Sequence, residues 1–590
     1  MPLEAGQVRL LHLKATPDPD IVEFSLSVRS LDDDDVRFEA LSYTWGDCSD
    51  LHSVSCQGAT IQVTRNLLGA LRQLKHASRD RTFWIDAVCI NQGDEEEKSV
   101  QVAMMRDIYR KADGVVIWLG EVADGTPGAW KLLHHLAWIV GKAAPEDWEK
   151  PASVEDLRSL GLPTGAGSEW EALEAIFWRQ WFTRVWIIQE ISLARKASVH
   201  CGQFNMPWDW FTSAVGYLHS RRFNQLTACE LDMTPALSLS YIARQVHDGG
   251  GTHDLVPLLA ASRRSVATDP RDHVYGLLGM VADHQMLVPD YTLPAAETYR
   301  RLTSMLLSEG LDVLSLKGDV RWNRQEGLPS WVPDWSSYQR AYGLIFGSTA
   351  QNENMRACGD TTANPPRFSH DGRTLWLQGA VVDQVKHVGG TFMRHGIDHT
   401  KPLPRLVGPE LAQQSHHWIV VRTLRIWEKL ALDLKTYPTG ESIESAYHRT
   451  LVGGVDLAPQ AVGDGATMSD LYSAYWGHHL RFPGESQKPS PLTPDEVRKN
   501  AQTYEHSMFA VAYCRRLFVT KKGYIGLGPN STKPGDSVVL FCGGRTAYIL
   551  RPRQNTDPCT YEFLGESYVR GMMNGEGFSG NSGLQEFAIE

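Results

Sequence analysis

The chain has 590 residues, which is too long for one hydrophobic core, so we expect two to four domains. A hydrophobic content of 42%, a charged content of 22% and 19 tryptophans describe a folded globular protein and exclude wholesale disorder. The formal net charge of −11 is spread along the chain, and no block rich in Lys and Arg lies beside aromatic residues. We therefore do not expect nucleic acid as a partner.

The cysteines and the N-terminus bear on the cellular compartment. Nine cysteines without a CxxC pair are typical of a reducing compartment, where thiols pack as small core residues. The start, "MPLEAGQVRLLHLKA", has no signal-peptide pattern, and no apolar stretch approaches the roughly 18 residues of a membrane span. We expect a cytoplasmic protein without a membrane segment.

The first strong strand signal is "FEALSYTWGD" (38–47), a short apolar run that ends in an aromatic and polar loop. Open α/β sheets bind ligands just beyond the carboxyl ends of their strands. The pattern predicts a ligand loop, and the alternative is a strand end capped by a large aromatic side chain. The residues concerned are Ser42, Tyr43, Trp45, Gly46 and Asp47.

A β-α-β unit follows. "TFWID" (82–86) predicts a strand that contains Trp84 and ends at Asp86. Asp94 with Glu97 three residues later predicts an N-cap and a capping box. The buried stripe of the helix is predicted to be Val100, Met104, Ile108 and Ala112, and "VVIWLG" (115–120) predicts the next buried strand.

The stretch "EALEAIFWRQWFTRVWIIQEISLARKASVHCG" (171–202) has helical spacing followed by a strand. Trp178, Phe182, Trp186 and Glu190 fall at successive i+4 positions. A helix through this region would place three aromatic side chains and one carboxylate along one edge. "ASVHCG" predicts a further strand.

Residues 216–345 are predicted to be mainly helical. Asp269 is expected to cap a helix with Pro270 at its first position and a buried stripe of Val274, Leu277 and Leu278. This explanation is structural, and we assign the segment "ATDPRDHVYGLLG" no chemistry. "LPSWVPDWS" (328–336), with two prolines, predicts an extended connection ahead of a domain boundary near 345.

The remainder is predicted to be α+β. A strand is expected at 374–385, helices at about 409–435, 467–480 and 493–514, and then short β-rich runs separated by Gly and Pro. Gly543-Gly544 suits a hairpin turn, so we expect a small antiparallel sheet or barrel at the end. The predicted domains are 1–215, 216–345 and 346–590.

Three segments together resemble the heterokaryon-incompatibility (HET) domain of filamentous fungi. They are "FEALSYTWGD", "RTFWIDAVCINQGDEEEKSVQVAMMRDIYRKADGVVIWLG" and "WFTRVWIIQEISLARKASVHCG". The later segments are similar to the usual extension of large HET-domain proteins. The resemblance implies non-self recognition and regulated cell death, and a domain distantly related to TIR domains. The implied fold of residues 1–215 is a TIR/flavodoxin-like α/β domain with a parallel sheet.

The TIR relationship implies a candidate reaction, cleavage of NAD at the nicotinamide–ribose bond. It makes Glu190 the candidate catalytic carboxylate, with Asp86 beside it, because a carboxylate can stabilise an oxocarbenium-like ribose. Tryptophan faces can stack on the cationic nicotinamide, and a guanidinium can pair with the pyrophosphate. The candidate substrate-binding residues are Ser42, Tyr43, Trp45, Gly46, Asp47, Trp84, Arg184 and Trp186.

We expect neither a bound cofactor nor a metal. No phosphate-cradling glycine loop is found, so NAD is expected as a substrate and not as a bound cofactor. Cys48, His52 and Cys56 are regularly spaced but lack a fourth ligand, so they do not match a structural zinc site.

Structural interpretations of the same residues stay open. Single tryptophans are more often wall or core residues, and Asp47 and Asp86 can cap the turns that follow them. Glu190 can equally pair with Arg184 or Arg195 and hold the fold together.

Three functions therefore compete. The first is a HET effector that acts on a nucleotide, and the second is a non-enzymatic signalling module that works by homotypic assembly. The third is a HET-type enzyme of secondary metabolism that performs acid–base chemistry on a small apolar substrate. The expected partners are a small-molecule ligand and either a second copy of the chain or a partner incompatibility protein.

Overall fold

The computed structural model describes residues 2–18, 20–144, 147–148, 150, 152–164, 167–223, 226, 233–248, 254–281, 287–318, 324–337, 343–346, 355–393, 409–457, 466–477, 492–553, 559–578 and 583–590. The chain forms two compact units, an N-terminal unit, Met1–Leu293, and a C-terminal unit, Pro294–Glu590. Their boundary falls inside residues 216–345, which were predicted to form a helical middle region. The division into three domains stays a prediction.

A nine-stranded sheet organises the N-terminal unit, with the strand order β5-β4-β2-β1-β6-β3-β7-β8-β9. Its strands are β1 Gln7–Leu13, β2 Glu23–Ser30, β3 Glu39–Tyr43, β4 Leu51–Cys56, β5 Ala59–Thr64, β6 Arg81–Trp84, β7 Gly114–Trp118, β8 Ala197–Cys201 and β9 Phe204–Pro207.

The centre of this sheet is parallel and buried. β6, β3, β7 and β8 pair in parallel, and antiparallel strands flank them on both sides. Within β3 and β7 all residues except the first are buried, as expected for parallel strands covered on both faces. The expected α/β N-terminal domain is confirmed, with a sheet that is parallel at its centre and antiparallel at its flanks. The hairpins β1–β2 and β4–β5 were not predicted.

Eleven α-helices of the described N-terminal residues connect and flank these strands. They are α1 Arg65–Leu74, α2 Asp86–Cys89, α3 Glu95–Lys111, α4 Thr126–Val140, α5 Val154–Ser159, α6 Ser168–Phe177, α7 Trp186–Ser192, α8 Trp208–Ser220, α9 Thr234–Asp248, α10 Leu255–Ala261 and α11 Asp272–Leu278.

Helix α3 confirms one part of its prediction and corrects two others. The Asp94 side chain caps it by accepting from the backbone N–H groups of Glu96 and Glu97. The reciprocal capping-box bond does not form, because the Glu97 carboxylate pairs with Arg9 instead. Val100 is 51% exposed and Met104 is half-buried, whereas Ile108 and Ala112 of the predicted stripe are buried.

The continuous helix expected through Trp178, Phe182, Trp186 and Glu190 is wrong. Helix α6 ends at Phe177, a 3-10 turn covers Gln180–Thr183, and α7 starts at Trp186. Arg184 between them is extended, with φ −74° and ψ 140°. The cause is tertiary: the Val266 N–H donates to Thr183 O at 2.6 Å, and the Val185 N–H donates to Val266 O at 3.1 Å.

The segment around α11 differs from its prediction at the start only. The helix begins at Asp272, and Asp269 accepts from the backbone N–H and the side chain of Arg271 instead of capping it. Val274, Leu277 and Leu278 are buried as predicted.

The C-terminal unit combines helices with a second sheet. Its helices are α12 Ala295–Glu309, α13 Pro409–Leu432, α14 Ile443–Leu451, α15 Met468–Tyr475 and α16 Pro494–Ala512, of which α14 was not predicted. Its strands are β10 Arg367–Phe368, β11 Leu375–Thr391, β12 Arg515–Thr520, β13 Ile525–Pro529, β14 Ser537–Phe541, β15 Ala547–Pro552, β16 Thr560–Val569 and β17 Gln585–Ile589.

The strand pairings of the second sheet form a closed ring. The path β11-β12-β13-β16-β15-β14 returns to β11 through a β11–β14 pairing, so six antiparallel strands close on themselves. The predicted hairpin turn lies between β14 and β15, where Gly543 has φ +75°. The stretch 328–336 contains no regular helix or strand, and its Trp331 and Trp335 are buried.

Among the described residues, no helix is both long enough and apolar enough to cross a lipid bilayer.

Candidate functional site

The site begins at the carboxyl end of β3. β3 lies between β6 and β7, so the chain order of the parallel strands reverses at this strand, and such a switch point is where open α/β sheets bind ligands. Ser42 is the penultimate residue of β3 and is buried. Its hydroxyl donates to Glu190 Oε2 and accepts from the Trp181 indole N–H at 2.8 Å. The strand end thus holds one oxygen of a carboxylate.

Glu190 lies on α7 and is only 2% exposed. Besides Ser42, the Tyr109 hydroxyl of α3 donates to it, and Arg184 Nη1 lies 3.9 Å from its Oε1. Burial raises the pKa of Glu190 to about 7, against the opposing effects of Arg184 and the hydrogen bonds. Near neutral pH this carboxyl group is therefore poised between its two protonation states.

Arg184 is the positive partner of the site. Its guanidinium donates to the backbone oxygen of Tyr43, and the break between α6 and α7 places it there. Burial lowers the pKa of Arg184, but the carboxylates of Glu190 and Asp86 raise it more, so the net shift is upward. Its side chain keeps 21% exposure, against 3% for the side chain of Glu190.

Asp86 and Trp45 form the reachable rim of the site. Asp86 is the first residue of α2, two positions beyond the end of β6, and its Oδ2 accepts from the Trp45 indole N–H at 3.0 Å. Burial raises the pKa of Asp86, while Arg184 and the Trp45 hydrogen bond oppose that shift. Both side chains are partly exposed, in contrast to Glu190.

Two buried donors beside these groups have no hydrogen-bond partner among the described residues. They are the hydroxyl of Tyr43, which is 1% exposed, and the indole N–H of Trp84, which is fully buried. The charges of Asp86 and Arg184 both act on the Tyr43 hydroxyl, whose pKa is raised well above its ordinary value by burial. The Trp84 ring meets the Tyr109 ring edge-on at 5.7 Å. Buried donors are normally paired, so these two can donate to a water molecule or to a ligand.

Gly46 and Asp47 determine the conformation of the loop that follows β3. Asp47 is exposed, and its Oδ1 accepts from the N–H and the hydroxyl of Ser49 at 2.8 and 2.6 Å. Gly46 has φ +77°, a conformation that favours glycine. Asn66 ties the loop down by donating to Thr44 O at 2.6 Å.

Trp186 also faces a different partner. Its indole N–H donates to Asp272 of α11. A Cβ atom added at Gly276 would lie 3.4 Å from the Trp186 ring, which shows how closely α11 approaches. A stacking role of this tryptophan toward a ligand stays a prediction.

Sequence reasoning missed three residues of the site. Tyr109 and Trp181 both reach the Ser42–Glu190 pair, and Asn66 anchors the loop. Tyr109 occupies an ordinary core position of an amphipathic helix, and no local pattern distinguishes it. Trp181 lies in "WRQWFTRVW", where four aromatic residues are candidates and only the fold selects one.

No group of three or more metal-ligating side chains occurs among the residues that the structure describes. Cys48 is exposed in the loop, His52 pairs with Asp50, and Cys56 is buried at the end of β4. These three side chains are not arranged as one ligand set.

The arrangement can perform acid–base or electrostatic chemistry. A carboxyl group with a pKa near 7 can take up or release a proton at neutral pH, and in its ionised form it can stabilise a developing positive charge. The adjacent guanidinium can pair with an anionic group of a ligand. Asp86 and Trp45 supply a second carboxylate and an aromatic face at the rim.

Comparison with known proteins gives two family matches. Residues 38–190 match the family described as heterokaryon incompatibility protein (HET), and residues 480–585 match the Het-6 beta-barrel domain. The chain is 25% identical to heterokaryon incompatibility protein 6, OR allele, of Neurospora crassa over an alignment of 626 positions. That alignment covers 91% of this chain and 89% of the relative. No solved structure matches significantly.

Proposed function

We propose that the chain is a heterokaryon-incompatibility (HET) domain protein with a Het-6 β-barrel domain, and that it acts in fungal non-self recognition by cleaving NAD. The reaction is hydrolysis of the nicotinamide–ribose bond in the N-terminal unit. Its outcome in the cell is regulated cell death. The similarity to the Neurospora heterokaryon incompatibility protein supports the biological role, and the site geometry supports the reaction.

The observation that carries the proposal is the Glu190–Arg184 pair at the switch point of the parallel strands. The four parallel strands lie side by side in the order β6-β3-β7-β8. The first of them in the chain, β3, therefore lies second in the sheet, and the next one, β6, lies first. This order begins the flavodoxin-like arrangement, which binds ligands where the order reverses, and it supports a TIR-like fold. The carboxyl end of β3 contacts Glu190 and Arg184 directly.

Each group has a defined task in this reaction. Ionised Glu190 stabilises the positive charge that develops on the ribose as the bond to nicotinamide breaks. Arg184 pairs with the pyrophosphate. Trp45 stacks on the cationic nicotinamide ring, and Asp86 orients Trp45 through the indole N–H. The unpaired Tyr43 hydroxyl donates to a ligand oxygen.

Access to the carboxylate requires the side chains around it to move. Glu190 is 2% exposed, so a ribose reaches it only when its partner Arg184 shifts away. The activity of the unmodified protein is therefore expected to be low but measurable.

The test is nicotinamide release from NAD by the purified full-length protein and by Glu190→Gln. The substitution keeps the size of the side chain and removes its charge, so release is expected to fall at least about 100-fold. Glu155→Gln is the matched control, because Glu155 is exposed on α5 with a side chain 78% accessible, and its release should equal that of the unmodified protein. Thermal unfolding of both variants checks that they fold.

Equal release by the Glu190→Gln variant, or no release by the unmodified protein, would contradict the proposal. A second function then applies, signalling by assembly without catalysis. One observation favours it: Glu190 already has three partners, Ser42, Tyr109 and Arg184, as a purely structural carboxylate would. Light scattering of the full-length protein tests this function, which requires oligomers that persist in Glu190→Gln.

A further inference from the structure

The segment around α11 lies outside the residues that match the HET family, yet it contacts the helix that carries Glu190. We define the brace segment as residues 262–281 and 287–293, within the N-terminal unit. Its first contact is the backbone pairing of Val266 with Thr183 and Val185. This pairing flanks Arg184 on both sides and fixes the extended turn that leads into α7.

The second contact is a half-buried carboxylate. Asp272 accepts from the indole N–H of Trp186, the first residue of α7, and from the Tyr291 hydroxyl at 2.6 Å. Glu190 lies four residues after Trp186, one helical turn further on. Asp272 therefore ties down the first turn of the helix that carries Glu190.

The third contact reaches α3 as well as α7. A Cβ atom added at Gly279 would lie 2.6 Å from Gln189 Oε1 and 3.1 Å from Arg106 Cβ. Gln189 is the neighbour of Glu190, and Arg106 precedes Tyr109 by one turn of α3. Arg106 in turn donates to Val281 O at 3.3 Å.

The end of the segment also packs on α3. The Tyr291 N–H donates to Ser99 Oγ at 3.3 Å, and the ammonium group of Lys98 lies 4.1 Å from the centre of the Tyr291 ring. The brace segment thus spans the two helices that supply Glu190 and Tyr109.

We propose that the brace segment positions Glu190 against Ser42 and Tyr109, with Asp272 as its central positioning residue. The inference extends the active unit of the HET domain from residues 38–190 to the whole N-terminal unit. Its kinetic part rests on the proposed NAD cleavage, whereas its structural part does not. Asp272 touches no reacting atom and acts through Trp186.

Hydrogen exchange in the full-length protein tests the structural part. Asp272→Ala removes both hydrogen bonds, so the amides of 186–192 are expected to exchange about tenfold faster, while those of β7 stay unchanged. Asp272→Asn can accept from Trp186 and donate to the Tyr291 oxygen, so it should restore protection. The control is Asp80→Ala, which removes an exposed carboxylate paired with Lys14 in the same unit and should change neither region.

Nicotinamide release by the same variants tests the kinetic part. In Asp272→Ala, kcat is expected to fall about tenfold with KM for NAD within about twofold, because the carboxylate is misplaced while the ligand contacts remain. Asp272→Asn should recover most of kcat. Unchanged protection of 186–192 in Asp272→Ala, or an equal loss of protection in β7, would overturn the inference. If the unmodified protein releases no nicotinamide, the proposed function is wrong. Hydrogen exchange alone then tests whether the brace segment positions Glu190.

A second pair of variants applies if Asp272→Ala does not fold. Gly279→Ala forces a Cβ atom against Gln189 and Arg106, and Gly93→Ala meets nothing closer than Asn91 Oδ1 at 3.7 Å. Faster exchange of 186–192 in Gly279→Ala and not in Gly93→Ala supports the brace. Equal exchange in both variants overturns it.

Discussion

Each of the two compact units buries a glutamate beside an arginine, and the two pairs are built differently. In the C-terminal unit, Arg515 Nη2 lies 2.6 Å from Glu566 Oε1, and each side chain is 5% exposed. The Leu344 N–H donates to the same oxygen at 2.7 Å. In the N-terminal unit, Arg184 and Glu190 are 3.9 Å apart, and Arg184 keeps 21% exposure.

The difference separates a structural pair from a pair that can serve a ligand. Arg515 and Glu566 are both buried and in direct contact, so a ligand cannot approach either charge. Their hydrogen bond joins strand β16 to strand β12. In the looser pair the arginine side chain is partly exposed, and the carboxyl group has a pKa of about 7. Burial of an ion pair is therefore no sign of function by itself, and contact distance with exposure distinguishes the two cases.

The largest expected effect tests the structural pair. Arg515→Met leaves Glu566 buried without its cation, which should lower the free energy of unfolding of the C-terminal unit by about 3 to 5 kcal/mol. Urea unfolding measures this. The control is Arg367→Met, since the Arg367–Glu586 pair is 65% and 50% exposed and should contribute less than about 1 kcal/mol. Equal effects of the two substitutions would remove the distinction between sealed and exposed pairs.

The second prediction concerns nicotinamide release after replacement of Glu190 or of Glu566. Glu190→Gln is expected to reduce nicotinamide release at least about 100-fold, or about 2.7 kcal/mol in activation free energy. Glu566→Gln should leave release within about twofold, because it lies in the unit without the site. Both are measured on folded full-length protein, checked by circular dichroism. A loss of release with Glu566→Gln alone would reverse the assignment of the two pairs.

The third effect is the pH dependence of stability. Because folding raises the pKa of Glu190 from an ordinary 4.5 to about 7, the folded state binds more protons than the unfolded state between these values. Stability should therefore fall as pH rises from about 4.5 to 8, by about 3 kcal/mol relative to Glu190→Gln. Urea unfolding of both proteins at several pH values, followed by hydrogen exchange in N-terminal peptides, measures the difference. A difference that does not change with pH would contradict the raised pKa.

The smallest expected effects follow from replacing either of two glycines that have positive φ. Gly46 beside the site and Gly535 in the C-terminal unit both have positive φ, +77° and +93°. Replacement of either by Ala should destabilise its unit by about 1 kcal/mol. Only Gly46→Ala should also reduce nicotinamide release, because it displaces Trp45. Reduced release with Gly535→Ala would show that the measurement reports general instability.

The sequence predicted those parts of the fold that depend on local patterns. Short apolar runs predicted β3, β6 and β7, and the acidic first turn after Asp94 predicted the start of α3. The hairpin β4–β5 was missed, because most of its residues are exposed or half-buried and give no apolar run. The break at Arg184 was missed, because it depends on Val266, which is distant in the chain.

The residues of the candidate site also divide into those that the sequence predicted and those that depend on tertiary packing. The structure brings Ser42, Tyr43, Trp45, Asp86, Arg184 and Glu190 together, and all six had been singled out at strand ends or by resemblance. Their roles stay predictions. Tyr109 and Trp181 could not be found, because tertiary packing decides which residue of a helix or turn faces a particular carboxylate.

The closed ring of the second sheet also constrains how the chain is made. Strand β11 ends at Thr391, and its ring partners β12 and β14 begin at Arg515 and Ser537. At about 5 to 20 residues per second, a ribosome adds residues 392–514 in roughly 6 to 25 seconds. During that interval neither neighbour of β11 in the ring has been synthesised. Strand β17, which also pairs with β11, is the last of these strands in chain order. The ring is therefore completed only once β16 has been synthesised, and a chain that terminates before β12 leaves the edges of β11 open to pairing with other chains.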